Sequence, residues 1–365
     1  MKILHIPTGG LFSDGIGTFI YSYLEYMDLN KYDVTILATN SPLKSDKEKF
    51  ECLGVKVIEI ERKKSNLSKY VYKLKKIIKK EKFDIIHVHG SSALMSIELL
   101  TAKVAGIPVR IAHSHNTTCE HHKLDKLLRP IFYRVYTQAC ACSVSAGQWL
   151  FEEKNYKIIH NARDVNRYQY DAIKRKKLRE ELLLSDETIA LGHVGRFNTQ
   201  KNQCFLVSLM EKLVIKNIDI KLFLVGTGDT LEEIKKLVIQ KKLEDNIVFL
   251  GQFDDMKSFV SSMDIMLLPS LYEGLPLVSV EWQINGVESI LSDRVTQECI
   301  YTGTVQQLSI DSMELWEKEI LNLSTSDRER VSLQNIQLIK NAGYDISLEV
   351  KEIEELYNSL YDIAN

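Results

Sequence analysis

The chain has 365 residues, 45% of them hydrophobic and 26% charged, with a formal net charge of −2 at pH 7. That is apolar material for two cores of ordinary size, and the near-neutral balance argues against a general nucleic-acid binder. Six cysteines, at 52, 119, 140, 142, 204 and 299, lack the paired spacing of a disulfide scaffold or zinc ribbon; Cys140 and Cys142 alternate in an apolar run as buried thiols, which fits a reducing cytosol.

Lys2-Ile-Leu-His-Ile6 predicts a buried strand, too short in its apolar core for a signal peptide. No later run approaches the ~20 apolar residues that span a bilayer. The expectation is a cytoplasmic protein that meets the inner face of a membrane only at its surface. A loop with glycines at 9, 10, 15 and 17 follows, and then a helix from about Thr18 to Met27. These glycines do not have the Gly-x-Gly-x-x-Gly spacing of a dinucleotide site. They would let a ligand approach the backbone and would expose N–H groups, as a plain flexible turn also would. Strands at 33–38 and 55–60, a helix at about 68–80, a strand at 85–89, a helix at about 94–105 and a strand at 109–113 complete the pattern. Apolar strands separated by amphipathic helices signal a parallel sheet covered on both faces.

Two features stand out in this half. From Arg62 to Lys82 there are ten Lys/Arg against one acid, Glu81, while Leu67, Tyr70, Val71, Leu74, Ile77 and Ile78 share one helical face. Such a helix suits an anionic membrane surface or, equally, its own sheet with the lysines in water. Two His-x-His pairs, His87/His89 and His113/His115, sit at or just past strand ends, where alternation puts each pair on one side. Their imidazoles could form an acceptor pocket, could hold zinc, or could simply pack.

The second half repeats the theme, with strands at 189–194, 221–225, 247–250 and 265–268 and helices near 202–216, 230–242, 256–263 and 277–285. Two doubly wound domains are the economical architecture: 1–162, then 163–345 after a boundary near His160-Asn161-Ala162 and before the polar stretch 164–177, with a last helix in 346–365. Ligands of such sheets bind outside the carboxyl ends of the strands, so two facing domains would place two ligands in a central cleft.

Three junctions on the second sheet carry the chemistry. His193-Val-Gly195-Arg196, followed by Lys201, puts two cations at a strand end, where they could neutralise a diphosphate without a metal. Val225-Gly226-Thr-Gly-Asp229 could admit a phosphate or a base, though glycines mark turns generally. Ser270-Leu-Tyr-Glu273-Gly274-Leu275-Pro276-Leu277-Val-Ser-Val-Glu281 reads as a loop and then a helix with Pro276 at its first position. The N–H groups of that helix start favour an anion, and the carboxylates of Glu273 and Glu281 would each accept hydrogen bonds from a diol. A ribose and a hexose flanking a diphosphate would satisfy all three elements. No Asp-x-Asp pair occurs to hold a divalent metal.

Gly15-Ile-Gly17-Thr-Phe19, Phe83-Asp-Ile-Ile-His-Val-His-Gly90, Ala112-His-Ser-His-Asn-Thr117, His193 to Lys201, and Glu273-Gly-Leu-Pro-Leu-Val-Ser-Val-Glu281 together resemble the GT-B glycosyltransferases of family 4, once pooled as glycosyl transferases group 1. The resemblance spans essentially the whole chain, and it looks nearest to bacterial capsular and exopolysaccharide transferases. It implies retaining transfer from a nucleotide sugar, with UDP favoured, and without metal or other cofactor, to a saccharide acceptor that is lipid-linked. By position, Arg196 and Lys201 would hold the diphosphate, Glu281 the ribose, and Glu273 a hydroxyl of the donor sugar. His115, or failing that His113, would sit beside the reacting sugar on the acceptor side. Gly15, Gly17, Gly195, Gly226, Gly274, Leu275 and Leu277 would line the donor, and the last helix would cross back to the first domain. The sequence departs from the family pattern at Asp14, at Arg163 and at Gly286-Val-Glu288.

Breaking the anomeric C–O bond develops negative charge on the diphosphate, against which Arg196, Lys201 and helix-start N–H groups are arranged. The rival readings are a metal-dependent hydrolase built on the His pairs, a nucleotide-sugar epimerase needing no acceptor, and a non-catalytic sugar-nucleotide-binding subunit of a polysaccharide assembly complex.

Overall fold

A computed structural model describes residues 1–11, 15–42, 44–60, 66–322 and 327–364. Asp14 and the Arg62–Lys64 start of the basic segment lie outside them. The chain divides into two compact units, Met1–Ala162 together with the segment from Ile346 onward, and Arg163–Asp345.

The first unit is built on β1 (Lys2–Pro7), β2 (Asp33–Ala38), β3 (Lys56–Glu59), β4 (Ile85–Gly90), β5 (Val109–Ser114), β6 (Gln138–Ala141) and β7 (Lys157–Ile158), in the order β3-β2-β1-β4-β5-β6-β7. Every pairing is parallel. The order reverses beside β1, and the central strands β1 and β4 are buried almost throughout, which is why they read as continuous apolar runs. One face is covered by the helix Gly15–Tyr26 through Phe19, Ile20, Tyr23 and Leu24, and by the last helix, Ile346–Ala364, through Ile346, Val350, Ile353, Leu356 and Tyr357. The last helix therefore belongs to the first unit's core. It is tied there by Glu354, which accepts from the Asp28 N–H at 2.9 Å, and by Glu349 beside the His160 ring at 3.3 Å.

The basic helix is Leu67–Glu81, capped by Asn66, whose side chain accepts from the Lys69 N–H at 3.0 Å. Tyr70, Leu74 and Ile78 are buried, and the Tyr70 hydroxyl donates to Glu98 of the helix Ser96–Ala105 at 2.9 Å. Its apolar stripe is thus used by the unit's own core, with Leu67 and Tyr72 left exposed.

The second unit has β8 (Ile189–Val194), β9 (Ile220–Val225), β10 (Ile247–Gly251), β11 (Ile265–Leu268), β12 (Glu288–Ser292) and β13 (Val305–Leu308), ordered β10-β9-β8-β11-β12-β13 and again all parallel. The polar stretch expected at 164–177 instead carries the helix Ala172–Glu181. Arg175 and Arg179 of that helix pair with Asp264 at 2.6 and 3.1 Å and donate to backbone carbonyls of Ser261 and Ser262. With Arg328, which donates to the Val260 and Met263 carbonyls, they neutralise the carboxyl end of the helix Met256–Ser262.

Candidate active site

The carboxyl ends of β8, β9 and β11 form one edge, and hydrogen bonds bind their loops together. The Gly195 N–H donates to the Val225 carbonyl at 3.0 Å, and Phe197 N–H to Thr227 at 2.9 Å. The Asn198 side chain caps the short turn Thr199–Lys201 by accepting from the Lys201 N–H at 3.0 Å. The loop after β11 is fastened to this turn by Leu271 N–H donating to the Gln200 carbonyl at 2.8 Å and by the Gln200 side chain donating to the Tyr272 carbonyl at 2.9 Å.

The result brings Lys201 Nζ to 2.6 Å from Glu273 Oε1, with both side chains mostly buried. Gly195 makes this possible: a Cβ there would stand 3.1 Å from Lys201 Cδ and 3.3 Å from His193 Nε2. Arg196, on the same edge, is more exposed and lies 3.4 Å from Asp229. His193 is buried, donates from Nδ1 to the Leu267 carbonyl at 2.8 Å, and meets Gln203 at 3.3 Å through Nε2; burial holds it down at about 4. It therefore stays neutral and braces β8 against β11.

Gly226 has φ +135°, and a Cβ there would stand 2.1 Å from the Gly195 carbonyl oxygen. Close approach of two loops is thus reason enough for this glycine, whatever binds nearby.

Glu281 lies one turn inside the helix Leu277–Asn285 and is buried. Pro276 precedes that helix as its cap, with φ −69° and ψ 118°, one position earlier than the sequence reading placed it. Gly274, Leu275 and Leu277, expected around the donor, are buried in this loop and first turn. Glu281 Oε1 accepts from Arg163 Nε at 2.8 Å, and the Tyr168 side chain also bonds to it. Burial pushes the Glu281 carboxyl up, while Arg163 and Tyr168 pull it back. Arg163 is the partner that sequence reasoning missed. It was legible only as a departure from the family's hinge pattern, since 118 positions separate it from Glu281.

On the first unit, Gly15 opens its helix in an exposed position with nothing within 4 Å of a Cβ, and Gly17 is buried two residues on. His113 and His115 do not stand alone. β1, β4 and β5 run in register, with His5 opposite His87 and His89 opposite His113, and the imidazoles of His5, His87, His89, His113 and His115 lie together. All but His115 are fully buried. Burial holds His5 and His115 down at about 3 and the other three well below the usual imidazole range. The Phe19 ring closes one side, 5.1 Å from His113 and 5.0 Å from His115 between centroids. His5 was not anticipated, because a single histidine in an apolar strand gives no local signal.

Among the described residues, two triads, His5/His87/His89 and His89/His113/His115, bring ligand atoms within 4.8 Å of one another and could hold a metal. Their nitrogens are turned on each other at 2.9 to 3.1 Å, and among the described residues no carboxylate is a hydrogen-bond partner of these rings.

A model of the glycosyltransferase family 4 matches residues 13–167, and a model of glycosyl transferases group 1 matches residues 174–335. The chain is a family 4 glycosyltransferase. Among relatives of this glycosyltransferase, EpsF of Bacillus subtilis strain 168, a glycosyltransferase by name, is 28% identical over 98% of this chain and 96% of its own. An Escherichia coli enzyme named UDP-Gal:alpha-D-GlcNAc-diphosphoundecaprenol alpha-1,3-galactosyltransferase is 24% identical over 79% of each chain. In fold the glycosyltransferase is similar to HepE of Anabaena, solved with UDP and glucose, at a TM-score of 0.81 and 17% identity over 98% of this chain and 100% of that one. The expected GT-B class, with two Rossmann-like domains, is thereby borne out.

Proposed function

We propose that this glycosyltransferase moves a hexose or N-acetylhexosamine from a UDP-sugar to a lipid-linked saccharide in bacterial surface polysaccharide synthesis, with retention of anomeric configuration and without a metal. The observation that carries the reading is the Lys201–Glu273 pair at 2.6 Å on the strand edge that also bears Arg196 and Glu281. Glu273 keeps Lys201 oriented, so that its charge is in place before a diphosphate arrives. Such preorganised charge is worth most when it meets charge that develops in the transition state. Arg196 adds a second cation, and Glu281, immobilised by Arg163, would accept from ribose hydroxyls with the oxygen that Arg163 Nε does not engage. The acceptor hydroxyl would pass its proton to the departing phosphate oxygen on the same face of the sugar, which gives retention with Glu273 as a positioner.

The names of relatives favour this substrate class: an acceptor on diphosphoundecaprenol for the E. coli enzyme, capsular polysaccharide biosynthesis for CapH of Staphylococcus aureus, and UDP-glucose in a second HepE complex. A lipid-linked acceptor also suits the helix His122–Phe132, which exposes Leu124, Leu127 and Ile131 beside Lys123 and Lys126. No helix among the described residues is long and apolar enough to cross a membrane.

The test is thermal stabilisation by UDP, GDP and their sugars in EDTA, followed by NMR of the anomeric configuration of the product. UDP should raise the melting temperature in EDTA by mass action on the native state, and transfer should persist there with retention. Stabilisation only after a divalent cation is added, an inverted product, or a trapped glycosyl–Glu273 adduct would refute the metal-free, retaining scheme. Leu127→Glu should lower binding to anionic vesicles; equal binding would remove this helix from the acceptor side.

A further inference from the structure

The buried histidines of the first unit form a single ordered hydrogen-bond chain that runs through a residue of the last helix. Starting from the inside, His113 Nδ1 meets His87 Nε2 at 3.1 Å, and His87 Nδ1 meets the Tyr357 hydroxyl at 2.7 Å. That hydroxyl faces His5 Nε2 at 3.5 Å, the longest link. His5 Nδ1 then meets His89 Nε2 at 2.9 Å, and His89 Nδ1 meets His115 Nε2 at 3.0 Å. The chain is His113–His87–Tyr357–His5–His89–His115.

Its bonding alternates without exception. Each imidazole-to-imidazole link joins an Nδ1 to an Nε2, and Tyr357 joins the Nδ1 of His87 to the Nε2 of His5. A neutral imidazole carries one N–H and one lone pair. If one ring in such a chain donates from Nδ1, the next must accept at Nε2 and so donates from its own Nδ1. The same holds in the opposite direction. Only two arrangements bond every link and also use the tyrosine O–H: all five rings protonated at Nδ1, or all five at Nε2. With both His87 and His5 donating to the tyrosine oxygen, its buried O–H would have no acceptor within the chain. An interior ring carrying both protons would place a charge among buried groups and force the rings on its two sides into opposite tautomers.

The two ends break the tie. His113 Nε2 is buried with no hydrogen-bond partner among the described residues, whereas His115 is partly exposed and its Nδ1 lies outside the chain. Protonation at Nε2 would leave a buried N–H orphaned at His113. Protonation at Nδ1 leaves only an unmet lone pair there, the less severe defect, orphaned N–H groups being the rarer of the two in folded proteins.

We propose that Tyr357 is a positioning residue that locks His5, His87, His89, His113 and His115 into one shared Nδ1–H tautomer, so that His115 offers a neutral N–H donor on the acceptor side of the transfer reaction. The role in transfer rests on the reading under Proposed function; the tautomer lock does not. A donor at His115 fits a reaction in which the leaving phosphate takes the acceptor's proton, because no imidazole need act as base. Turning His115 into an acceptor would require His89 and His5 to shift with it, and then either His87 and His113 to follow through the tyrosine or the tyrosine O–H to go unbonded, a cost that a lone surface histidine would not meet. Joining the two halves of the chain also gives the last helix a task beyond covering the sheet.

The test is imidazole 15N–1H correlation NMR on the whole protein, labelled in histidine, at pH 7 and in EDTA. Five rings in the Nδ1–H form are expected. Any of the five in the Nε2–H form, or doubly protonated, overturns the proposal, and so does a stoichiometric zinc-induced shift of these resonances when EDTA is left out, which would make the cluster a metal site. Tyr357→Phe removes one oxygen and splits the chain into His113–His87 and His5–His89–His115. The split should free at least one segment from the Nδ1–H form and lower kcat about tenfold, with KM for the nucleotide sugar and UDP binding unchanged. An unaltered tautomer pattern, or a loss of UDP binding in proportion to kcat, overturns the role given to Tyr357. Should Tyr357→Phe fail to fold, the wild-type spectrum alone still decides. A wild-type protein with the shared tautomer but no sugar transfer would refute the functional reading and leave the tautomer lock standing.

Discussion

The two units share an architecture and handle buried polarity in opposite ways. At the strand ends of the first, five imidazoles and a tyrosine satisfy one another without charge. At the strand ends of the second, Lys201 meets Glu273 and Arg163 meets Glu281 as ion pairs. The difference teaches that a parallel sheet's carboxyl edge prescribes where chemistry sits and leaves open how its polar groups are kept inside. Neutral rings avoid the desolvation cost of charge but depend on every proton being in the right place. Ion pairs tolerate rearranged hydrogens but leave a naked charge when one partner goes.

Acid should separate the units most strongly. The buried histidines have folded-state values far below the ordinary 6.5, so below pH 6.5 the unfolded chain binds protons that the folded chain refuses, down to about 3 in the case of His5. Stability contributed by their neutral burial is complete above pH 6.5 and is lost as the pH falls. The slope is at most about 1.4 kcal/mol per pH unit for each buried ring. The second unit has one comparable ring, His193, held at about 4, and its raised Glu281 acts with the opposite sign, since a carboxyl that holds its proton more tightly when folded is favoured by acid. Hydrogen exchange at pH 4.5 against pH 7 should show β1, β4 and β5 losing protection before β8 and β11. Loss in the reverse order would break the comparison.

The next effect is on the ion pairs. Glu281→Ala should destabilise the second unit by about 3–5 kcal/mol, because the buried Arg163 loses the Glu281 carboxylate that balances its charge, and chemical denaturation would measure it. Arg163→Met with Glu281→Leu should restore most of the loss. A double variant as unstable as the single one would show that something other than the stranded charge is responsible. Glu281→Ala is accordingly a poor probe of nucleotide binding, and Glu281→Gln, which keeps a hydrogen-bond acceptor for Arg163, is the better one.

Lys201→Met sharpens the functional side. Under the proposed scheme kcat should fall by about 10²–10³, the range for removing one preorganised donor, while the melting temperature changes less than in Glu281→Ala, because the Glu273 side chain left behind is 10% exposed whereas Arg163 is 1% exposed. An unchanged kcat would take Lys201 out of the chemistry.

Much of this molecule is written in local sequence. The strands of both sheets' central region run as apolar stretches because each is buried on two faces, and strands 33–38, 189–194 and 265–268 begin and end where the pattern places them. Family membership was readable from the motifs at 83–90, 112–117, 193–201 and 273–281 for the same reason: they sit at strand ends, where backbone geometry constrains residue type. Short or small-residue strands were not readable. β6 is Gln-Ala-Cys-Ala and β7 has two residues, too few for a period to show. The helix Ala172–Glu181 has almost no apolar face and is held by arginines against Asp264 and backbone carbonyls, an attachment that hydrophobic periodicity cannot register.

What the sequence by itself determined is therefore the layered α/β architecture, the family and the edge at which the motif residues lie, since each follows from burial pattern and strand-end geometry within a few neighbouring residues. What only the tertiary structure decided is partnership. Arg163 finds Glu281 across 118 positions, Tyr357 finds His87 across 270, and His5 enters the histidine chain because β1 lies beside β4. The physical reason is that a hydrogen bond or ion pair depends on a few ångströms in space. Only the packing of the strands, and of the last helix on the first unit's sheet, brings those atoms within that range.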